Sequence, residues 1–161
     1  MLRYRICDQR DCSVWVELNR AFMREEVNDN EFWNEADKLT INEFRELFAE
    51  GMEANEHVKF LLFEEDEEPV GFANLMISFS VWSHGKVMII DDFYFRPGER
   101  GRGNGRVAMQ MIEEYAKVQG CRRIQLHAET TNPDAIEFYK AIGYMLADMK
   151  FCVKYLEKRS K

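Results

Sequence analysis

The stretch that decides the fold is Arg96-Pro97-Gly98-Glu99-Arg100-Gly101-Arg102-Gly103-Asn104-Gly105-Arg106. It lies between an apolar, strand-like run that ends at Phe95 and an amphipathic, helix-like run over residues 103–119. Its alternate glycines leave backbone N–H groups uncovered, so several of them can point at one anion. The N-terminal end of the following helix adds positive partial charge, and the arginines add guanidiniums that suit phosphate oxygens. The stretch therefore predicts a pyrophosphate-binding loop between a strand and a helix.

The composition predicts one globular domain over residues 1–161. Of its 161 residues, 46% are hydrophobic and 32% are charged, and this length buries an adequate core. The longest apolar runs, such as 60–63 and 87–90, are too short to cross a bilayer, and no signal-peptide pattern follows Met1. The four cysteines lack metal-ligand spacing, so we expect reduced thiols, no bound metal, no membrane partner and a cytoplasmic location.

The charge is distributed unevenly along the chain. The net charge of −7 divides into −11 over residues 1–85 and +4 over residues 86–161. This asymmetry suggests two ligands of opposite charge, the alternative being an undirected drift of surface charge. The basic residues gather at one glycine turn without an aromatic-interleaved stripe, which disfavours a nucleic acid partner.

Periodicity predicts the element order β-α-α-β-β-β-α-β-α-β-β in an α/β domain. Asp11 is expected to cap a helix that ends near Glu26, and Thr40 with Glu43 forms a capping box for a second helix. Gly143 is expected to end the last helix in a left-handed conformation. The predicted strands cover residues 2–6, 58–64, 70–82, 86–95 and 123–129, followed by two strands within 144–156 joined at Ala147-Asp148.

Three kinds of phosphate loop compete for the glycine stretch. A Walker loop is ruled out because the string GxxxxGK[ST] does not occur. Gly103, Gly105 and Ala108 satisfy the dinucleotide pattern GxGxxA, and Glu129 follows about twenty residues later. That pattern needs its glycine turn directly after the strand, whereas residues 96–102 intervene here, so it is disfavoured.

The third alternative reads Arg100–Gly105 as (Q/R)xxGx(G/A), with Asn132-Pro133-Asp134-Ala135-Ile136-Glu137-Phe138-Tyr139-Lys140-Ala141-Ile142-Gly143-Tyr144 downstream. Together these motifs closely resemble the GNAT superfamily of acyl-CoA-dependent N-acetyltransferases. The resemblance implies an α/β (α+β) fold with a mixed, largely antiparallel central sheet of about seven strands and flanking helices. It also implies a splayed central pair of parallel strands, here 86–95 and 123–129. Shorter matches at Gly71-Phe72-Ala73, Trp82 and Asp91-Asp92-Phe93 resemble the diamine (polyamine) acetyltransferase branch.

The resemblance also implies where the co-substrate acetyl-CoA binds. Its pantetheine arm would lie between the splayed strands and its pyrophosphate on the glycine loop. Asn132 and Ala135 would flank the cofactor on the far side. The implied cofactor-binding residues are Phe93, Tyr94, Phe95, Arg100, Gly101, Arg102, Gly103, Asn104, Gly105, Arg106, Asn132, Ala135 and Tyr139.

Amine acetylation needs a base for the amine proton and an acid for the departing thiolate. Asp91 matches the strand carboxylate that some relatives use as a remote base, with Asp92 in reserve. Adjacent strand residues point to opposite faces, so one of the two is expected to face the acceptor and the other to accept backbone hydrogen bonds. Tyr139 matches the family's acid, the alternative being a core aromatic residue.

The acceptor is expected to be a small cationic amine of polyamine or aminosugar type. Carboxylates around aromatic rings suit such an amine, the alternative being a solvated acidic loop. The candidate substrate-binding residues are Glu26, Asp29, Trp33 and Trp82. We expect direct attack in a ternary complex. The alternatives are a non-catalytic acyl-CoA sensor and an enzyme that acetylates protein lysines or N-termini, and the resemblance makes a homodimer the expectation.

Overall fold

The computed structural model describes residues 1–26 and 38–156, with Glu26 described by its backbone alone. The chain forms two compact units, Met1–His127 and Ala128–Lys161. In the first unit, every strand of the described chain joins one mixed sheet in the order β1-β2-β3-β4-β5. The first three pairings are antiparallel, and β4 pairs with β5 in parallel. The strands are β1 (Arg3–Ile6), β2 (Val58–Glu65), β3 (Glu68–Ser80), β4 (Gly85–Phe95) and β5 (Arg123–Leu126).

Two helices cover one face of this sheet. Helix α1 (Cys12–Glu26) and helix α2 (Ile41–Glu53) bury a cluster that includes Trp15, Phe48 and Phe60, whose rings lie 4.7 to 5.7 Å apart. Thr40 and Glu43 form the predicted capping box at the start of α2. Asp11 does not cap α1, because it lies in a preceding 3-10 turn where Arg5 binds its carboxylate. Side chains on the α1 side of the sheet are therefore enclosed by aromatic rings.

Helix α3 (Asn104–Val118) lies on the other face. Its Tyr115 ring meets Tyr4 of β1 at 6.1 Å, and Tyr4 pairs with Phe63 across the sheet. The face it buries consists of Ala108, Met109, Ile112, Tyr115 and Ala116. The glycine loop thus joins the end of β4 to a helix packed on the face of Phe63.

The second unit contains helix α4 (Pro133–Ala141). Gly143 follows it with φ of +96°, and the amides of Gly143 and Tyr144 donate to the carbonyls of Lys140 and Tyr139. The prediction of a left-handed glycine at this helix end is confirmed.

The tail and the strand count differ from the prediction. Residues 144–156 form no strand within the described chain, so the expected hairpin at Ala147-Asp148 is wrong. Apolar alternation gives a segment the pattern of a strand, but a strand also needs a neighbour that accepts its hydrogen bonds. The described chain therefore has five strands instead of about seven, in the mixed sheet that was expected. None of its described helices is both long enough and apolar enough to pass through a bilayer.

Candidate active site

Strand β4 carries a bulge at Asp91. Its neighbour Ile90 pairs with Leu75 and Asp92 pairs with Asn74, so Asp91 is the extra residue between two consecutive pairs. A bulge of this kind breaks the two-residue alternation and exchanges the faces of the residues beyond it. Simple alternation, from which Asp91 and Asp92 were expected to point to opposite faces, therefore does not hold at this point of β4, and the expectation that one of the two faces the acceptor stays a prediction.

Contacts between aromatic rings show on which face of the sheet the side chains beyond the bulge lie. Phe93 and Phe95 meet Phe63 at 6.0 and 5.3 Å, on the α3 face. Tyr94 meets Phe72 at 5.9 Å on the α1 face, where Asp92 also points because it pairs with Asn74. The bulge thus directs Asp92 toward α1.

The parallel pairing ends beside the same bulge. It runs from Val87 opposite Arg123 to Ile90 opposite Leu126 and includes no later residue of β4. Within the described first unit, residues 92–95 therefore pair with β3 alone, and the second backbone edge of residues 91–95 is left uncovered. An open strand edge of this length offers hydrogen bonds to an extended ligand.

Asp92 lies half-buried in this segment and has a neutral partner. Its Oδ2 accepts a hydrogen bond of 2.7 Å from Asn74 Nδ2. Burial raises the pKa of Asp92 to about 6, and the nearby charge of Asp91 adds to the rise, while the Asn74 hydrogen bond opposes it. Asp91 remains accessible to solvent, yet partial desolvation raises its pKa, an effect that the charge of His127 opposes. Both carboxylates belong to the stretch of β4 at which the parallel pairing ends.

Asn74 was not among the residues predicted from the sequence. It is 9% exposed, and its Oδ1 accepts a hydrogen bond of 2.9 Å from Trp15 Nε1. Its Nδ2 donates to Asn19 Oδ1 at 2.8 Å as well as to Asp92. The available signal was an isolated asparagine inside the apolar strand that includes Phe72 and Met76, together with the i, i+4 spacing of Trp15 and Asn19 on α1.

The glycine loop presents unpaired backbone donors. Gly101 and Gly103 have φ of +74° and +87°, a region that side-chain-bearing residues rarely adopt. The first helical hydrogen bond of α3 runs from the Val107 amide to the Gly103 carbonyl, and no acidic residue occupies the first turn. Within the described chain, the amides of residues 101–106 have no backbone acceptor, and the buried Nδ2 of Asn104 has no partner. These donors suit an anion.

Three arginines of the loop bind carboxylates of the first unit. Arg96 Nη2 lies 2.9 Å from Glu17 Oε1, and Arg102 Nη1 lies 2.6 Å from Glu99 Oε2. Arg100 makes the most contacts of the three. Its Nη2 lies 2.6 Å from Glu25 Oε2, its Nε donates to the Phe95 carbonyl at 2.8 Å, and its guanidinium lies 5.1 Å from the centre of the Tyr94 ring. The exposed Arg106 makes no ion pair with any described residue.

The second unit contains the other predicted residues. Asn132 Oδ1 accepts from the Ala135 amide at 3.1 Å and caps α4. Tyr139 packs against Phe138 and Tyr144 with ring centres 5.2 and 5.8 Å away, and burial raises its pKa to about 12.

The candidate acceptor residues lie in different parts of the chain. Trp82 lies in the turn between β3 and β4 and is 93% exposed. Asp29, Trp33 and the side chain of Glu26 lie outside the described residues.

An antiparallel sheet with one parallel pair, which opens beside a glycine loop at a helix start, defines a mixed α/β fold with a candidate anion-binding loop. A model of the Acetyltransferase (GNAT) family matches residues 15–144. The chain belongs to this family.

Curated relatives carry related names. A streptothricin acetyltransferase from Streptomyces lavendulae is 32% identical over 96 residues, which are 60% of this chain and 48% of the relative. A thialysine N-epsilon-acetyltransferase from Bos taurus is 32% identical over 74 residues, 46% of this chain and 43% of the relative. The aligned part is thus less than half the length of either relative.

Solved structures share the fold. A possible acetyltransferase from Clostridium difficile 630 superposes with a TM-score of 0.80 at 14% identity, over 98% of this chain and 99% of that one. The aminoglycoside N-acetyltransferase AAC(6')-Iy in complex with CoA gives a TM-score of 0.73 at 16% identity, over 99% and 96% of the two chains. At these identities the likeness establishes the fold.

Proposed function

We propose that this protein is an acetyl-CoA-dependent N-acetyltransferase that acetylates the primary amine of a small cationic acceptor. The observation that carries the proposal is the open edge of β4, which begins at the bulge of Asp91 and Asp92 and leads directly into the glycine loop. The names of the streptothricin, thialysine and aminoglycoside acetyltransferases support an amine acceptor. A polyamine or aminosugar, reached in a ternary complex, is the acceptor that we propose.

The donors of the loop fit the pyrophosphate of coenzyme A. Residues 101–106 supply unpaired amides, and Asn104 supplies a buried side-chain donor without a partner. Since Arg100 and Arg102 bind protein carboxylates, we assign the anion to the amides and to Arg106. The backbone of residues 93–95 would hold the pantetheine arm. Asn132 and Ala135 are proposed to flank it.

The base must act on an amine that is normally charged. A lysine-like amine has a pKa of about 10.4, so its neutral form costs roughly 4–5 kcal/mol at pH 7. A general base works best when its pKa lies near the working pH. We propose Asp92 as the base, because it lies at the start of the open edge and burial raises its pKa to about 6, and we keep Asp91 as the comparison.

Tyr139 is proposed to assist the departing thiolate. With its pKa raised to about 12, full proton transfer to a thiolate whose conjugate acid has a pKa of about 8.5 is uphill by roughly 5 kcal/mol. A desolvated thiolate has a higher pKa, which reduces this difference. Tyr139 therefore acts as a hydrogen-bond donor to the sulfur, and solvent completes the protonation.

The deciding assay measures thiol release from acetyl-CoA at pH 7–9 with spermidine, an aminoglycoside, thialysine and a lysine peptide. We expect turnover with at least one small amine and a kcat at least tenfold lower for Tyr139→Phe, with cofactor affinity unchanged. Tight cofactor binding without any turnover would favour the acyl-CoA sensor. Turnover confined to the peptide would favour a protein acetyltransferase.

The loop assignment has a matched control in the same stretch. Gly103→Ala adds a side chain where φ is +87° but no neighbour lies within 4 Å of the new atom, so the cost is conformational, about 1–2 kcal/mol. Gly98 has equally open space and no positive φ. Calorimetry should show weaker coenzyme A binding for Gly103→Ala and unchanged binding for Gly98→Ala. Equal affinities would contradict the loop assignment.

A further inference from the structure

Asn74 has every polar atom of its side chain engaged. Its Nδ2 donates to Asp92 Oδ2 at 2.7 Å and to Asn19 Oδ1 at 2.8 Å, and its Oδ1 accepts from Trp15 Nε1 at 2.9 Å. An amide group offers two N–H donors, so this arrangement uses both of them.

The network fixes which way the Asn74 amide points. Trp15 Nε1 is a donor and has no accepting capacity, so a rotated amide would place two donors against each other. Asn19 is held in turn because its Nδ2 donates to the Trp15 carbonyl at 2.8 Å. The group that Asn74 presents to Asp92 is therefore always an N–H.

Because this hydrogen-bond network is buried, any unsatisfied polar group in it would cost folding free energy. Asn19 is 1% exposed, and the ring of Trp15 packs against both Phe48 and Phe60. A polar group in such a place needs a partner, and a chain of four polar residues is harder to satisfy than an apolar side chain of similar volume. The network ends at Asp92, on the bulge where the open edge of β4 begins.

We propose that Asn74 is a positioning residue, which holds the Asp92 carboxylate in the one orientation from which it receives the amine proton. This inference rests on the proposed function. It adds to that function a three-residue support, formed by Trp15, Asn19 and Asn74, that never touches the acceptor.

Among the residues that the structure describes, few charged groups act on Asp92. From β3 and α1 its neighbours are the neutral side chains of this support, and on β4 the charge of Asp91 acts on it. His127, just after β5, acts on Asp91. The carboxylate of Glu25 on α1 is bound by Tyr94 and Arg100.

The direct test follows the titration of Asp92 by NMR of carboxyl-labelled protein, with Asp92→Asn used to assign the signal. A hydrogen bond to a charged group favours the charged form, so Asn74→Leu should raise the midpoint of Asp92 by about 1–2 pH units. Asp91→Asn should lower it, because it removes a neighbouring negative charge. An unchanged midpoint in Asn74→Leu would overturn the proposal.

Asn19→Leu is the matched control. It makes the same substitution in the same network, but at a residue that does not contact Asp92. We expect a similar loss of thermal stability but a clearly smaller rise of the Asp92 midpoint than in Asn74→Leu, because Asn74 keeps its own N–H to Asp92. Equal shifts in both variants would reduce Asn74 to a structural role and overturn the proposal.

A milder variant covers the case in which Asn74→Leu does not fold. Trp15→Phe keeps the ring and removes the N–H that locks the Asn74 amide, so a smaller shift of the same sign is expected. The absence of any shift in Trp15→Phe would then count against the proposal.

The activity readout separates this inference from the proposed function. In a variant with the shifted midpoint, the acidic limb of kcat/KM should move by the same amount, while the KM for acetyl-CoA stays unchanged. A midpoint that shifts in a protein without turnover would show the Asn74–Asp92 hydrogen bond in solution but refute the enzyme, and the positioning role with it. Turnover with an unshifted midpoint would refute the positioning role alone.

Discussion

Two carboxylate sites of the first unit have opposite kinds of partner. At the β1 edge, Asp11 and Glu64 are 6% and 5% exposed and share the guanidinium of Arg5, at distances of 2.6 and 2.7 Å. On β4, the half-buried Asp92 receives the neutral amide of Asn74.

The two sites differ in the pKa of their carboxyl groups. The Arg5 hydrogen bonds lower the pKa of Asp11, which keeps it charged at any physiological pH. Burial raises the pKa of Asp92 to about 6, so this group gains and loses a proton near neutrality. A cationic partner thus makes a buried carboxylate structural, and a neutral partner leaves it able to exchange protons.

The largest expected effect is on turnover. Asp92→Asn removes the proposed base but preserves an acceptor for Asn74, and general base catalysis is typically worth 10²–10⁴-fold, so kcat/KM at pH 7.5 should fall about 100-fold. Steady-state kinetics and calorimetry with coenzyme A check this, since cofactor affinity should not change. A loss below threefold would remove Asp92 from the mechanism and return the role to Asp91.

The next largest effect is expected on the free energy of unfolding, at the Arg5 site. Arg5→Met leaves Asp11 without its cation and Glu64 with Arg3 at 3.2 Å. Removing one partner of a buried pair costs about 3–5 kcal/mol, and partial exposure of Arg5 reduces this to about 2–3 kcal/mol of unfolding free energy. Urea unfolding at pH 7 measures the loss. Activity per folded molecule should stay at the wild-type level, and a 100-fold fall would contradict the separation of the two sites.

The two sites should also give opposite pH dependences of stability. The lowered pKa of Asp11 contributes stability above its unfolded pKa, which is lost as the pH falls through the folded value. The raised pKa of Asp92 works in reverse, because its contribution is present below the unfolded value of 3.8 and is lost as the pH rises through about 6.

Urea unfolding of Asp92→Asn and wild type at pH 4 and pH 8 tests the pH dependence of stability expected from Asp92. Relative to wild type, the variant should gain about 2 kcal/mol of stability between pH 4 and pH 8. The same difference at both values would mean that Asp92 titrates normally in the folded protein.

The smallest effect on stability is expected for Arg3, at the exposed edge of the Arg5 site. Arg3 is 57% exposed on its side chain and shares Glu64 with Arg5, so Arg3→Ala should cost less than about 1 kcal/mol. The same urea experiment provides the value. A cost equal to that of Arg5→Met would show that the two arginines act as one unit.

The local chemistry of the glycine loop made its fold predictable from sequence. Alternating glycines before an amphipathic run require a turn into a helix, and the capping pair Thr40 and Glu43 marks a helix start within three residues. The tail over residues 144–156 was mispredicted because alternation carries no information about a strand's partner.

Sequence motifs predict the candidate residues of the site, but they do not predict the support formed by Trp15, Asn19 and Asn74. Asp92 follows from position in a motif, but its contact with Asn74 joins residues 18 positions apart through a bulge that no local pattern announces. The same holds for Arg100 and Glu25, which are 75 positions apart, so the loop motif predicts a phosphate ligand for this arginine and gives no sign of its carboxylate partner. The roles of Asn132 and Tyr139 stay predictions.

The bulge at Asp91 also has a consequence for insertions and deletions. Because Asp91 is the extra residue between the pairs Ile90–Leu75 and Asp92–Asn74, its deletion would make these pairs consecutive and leave Phe93, Tyr94 and Phe95 opposite their present partners. Tyr94 would keep its hydrogen bond to Glu25 and its place beneath the guanidinium of Arg100. Strand β4 can therefore lose this one residue without a change of faces, whereas a further deletion within residues 92–95 would have no bulge to absorb it and would turn the later side chains to the other face.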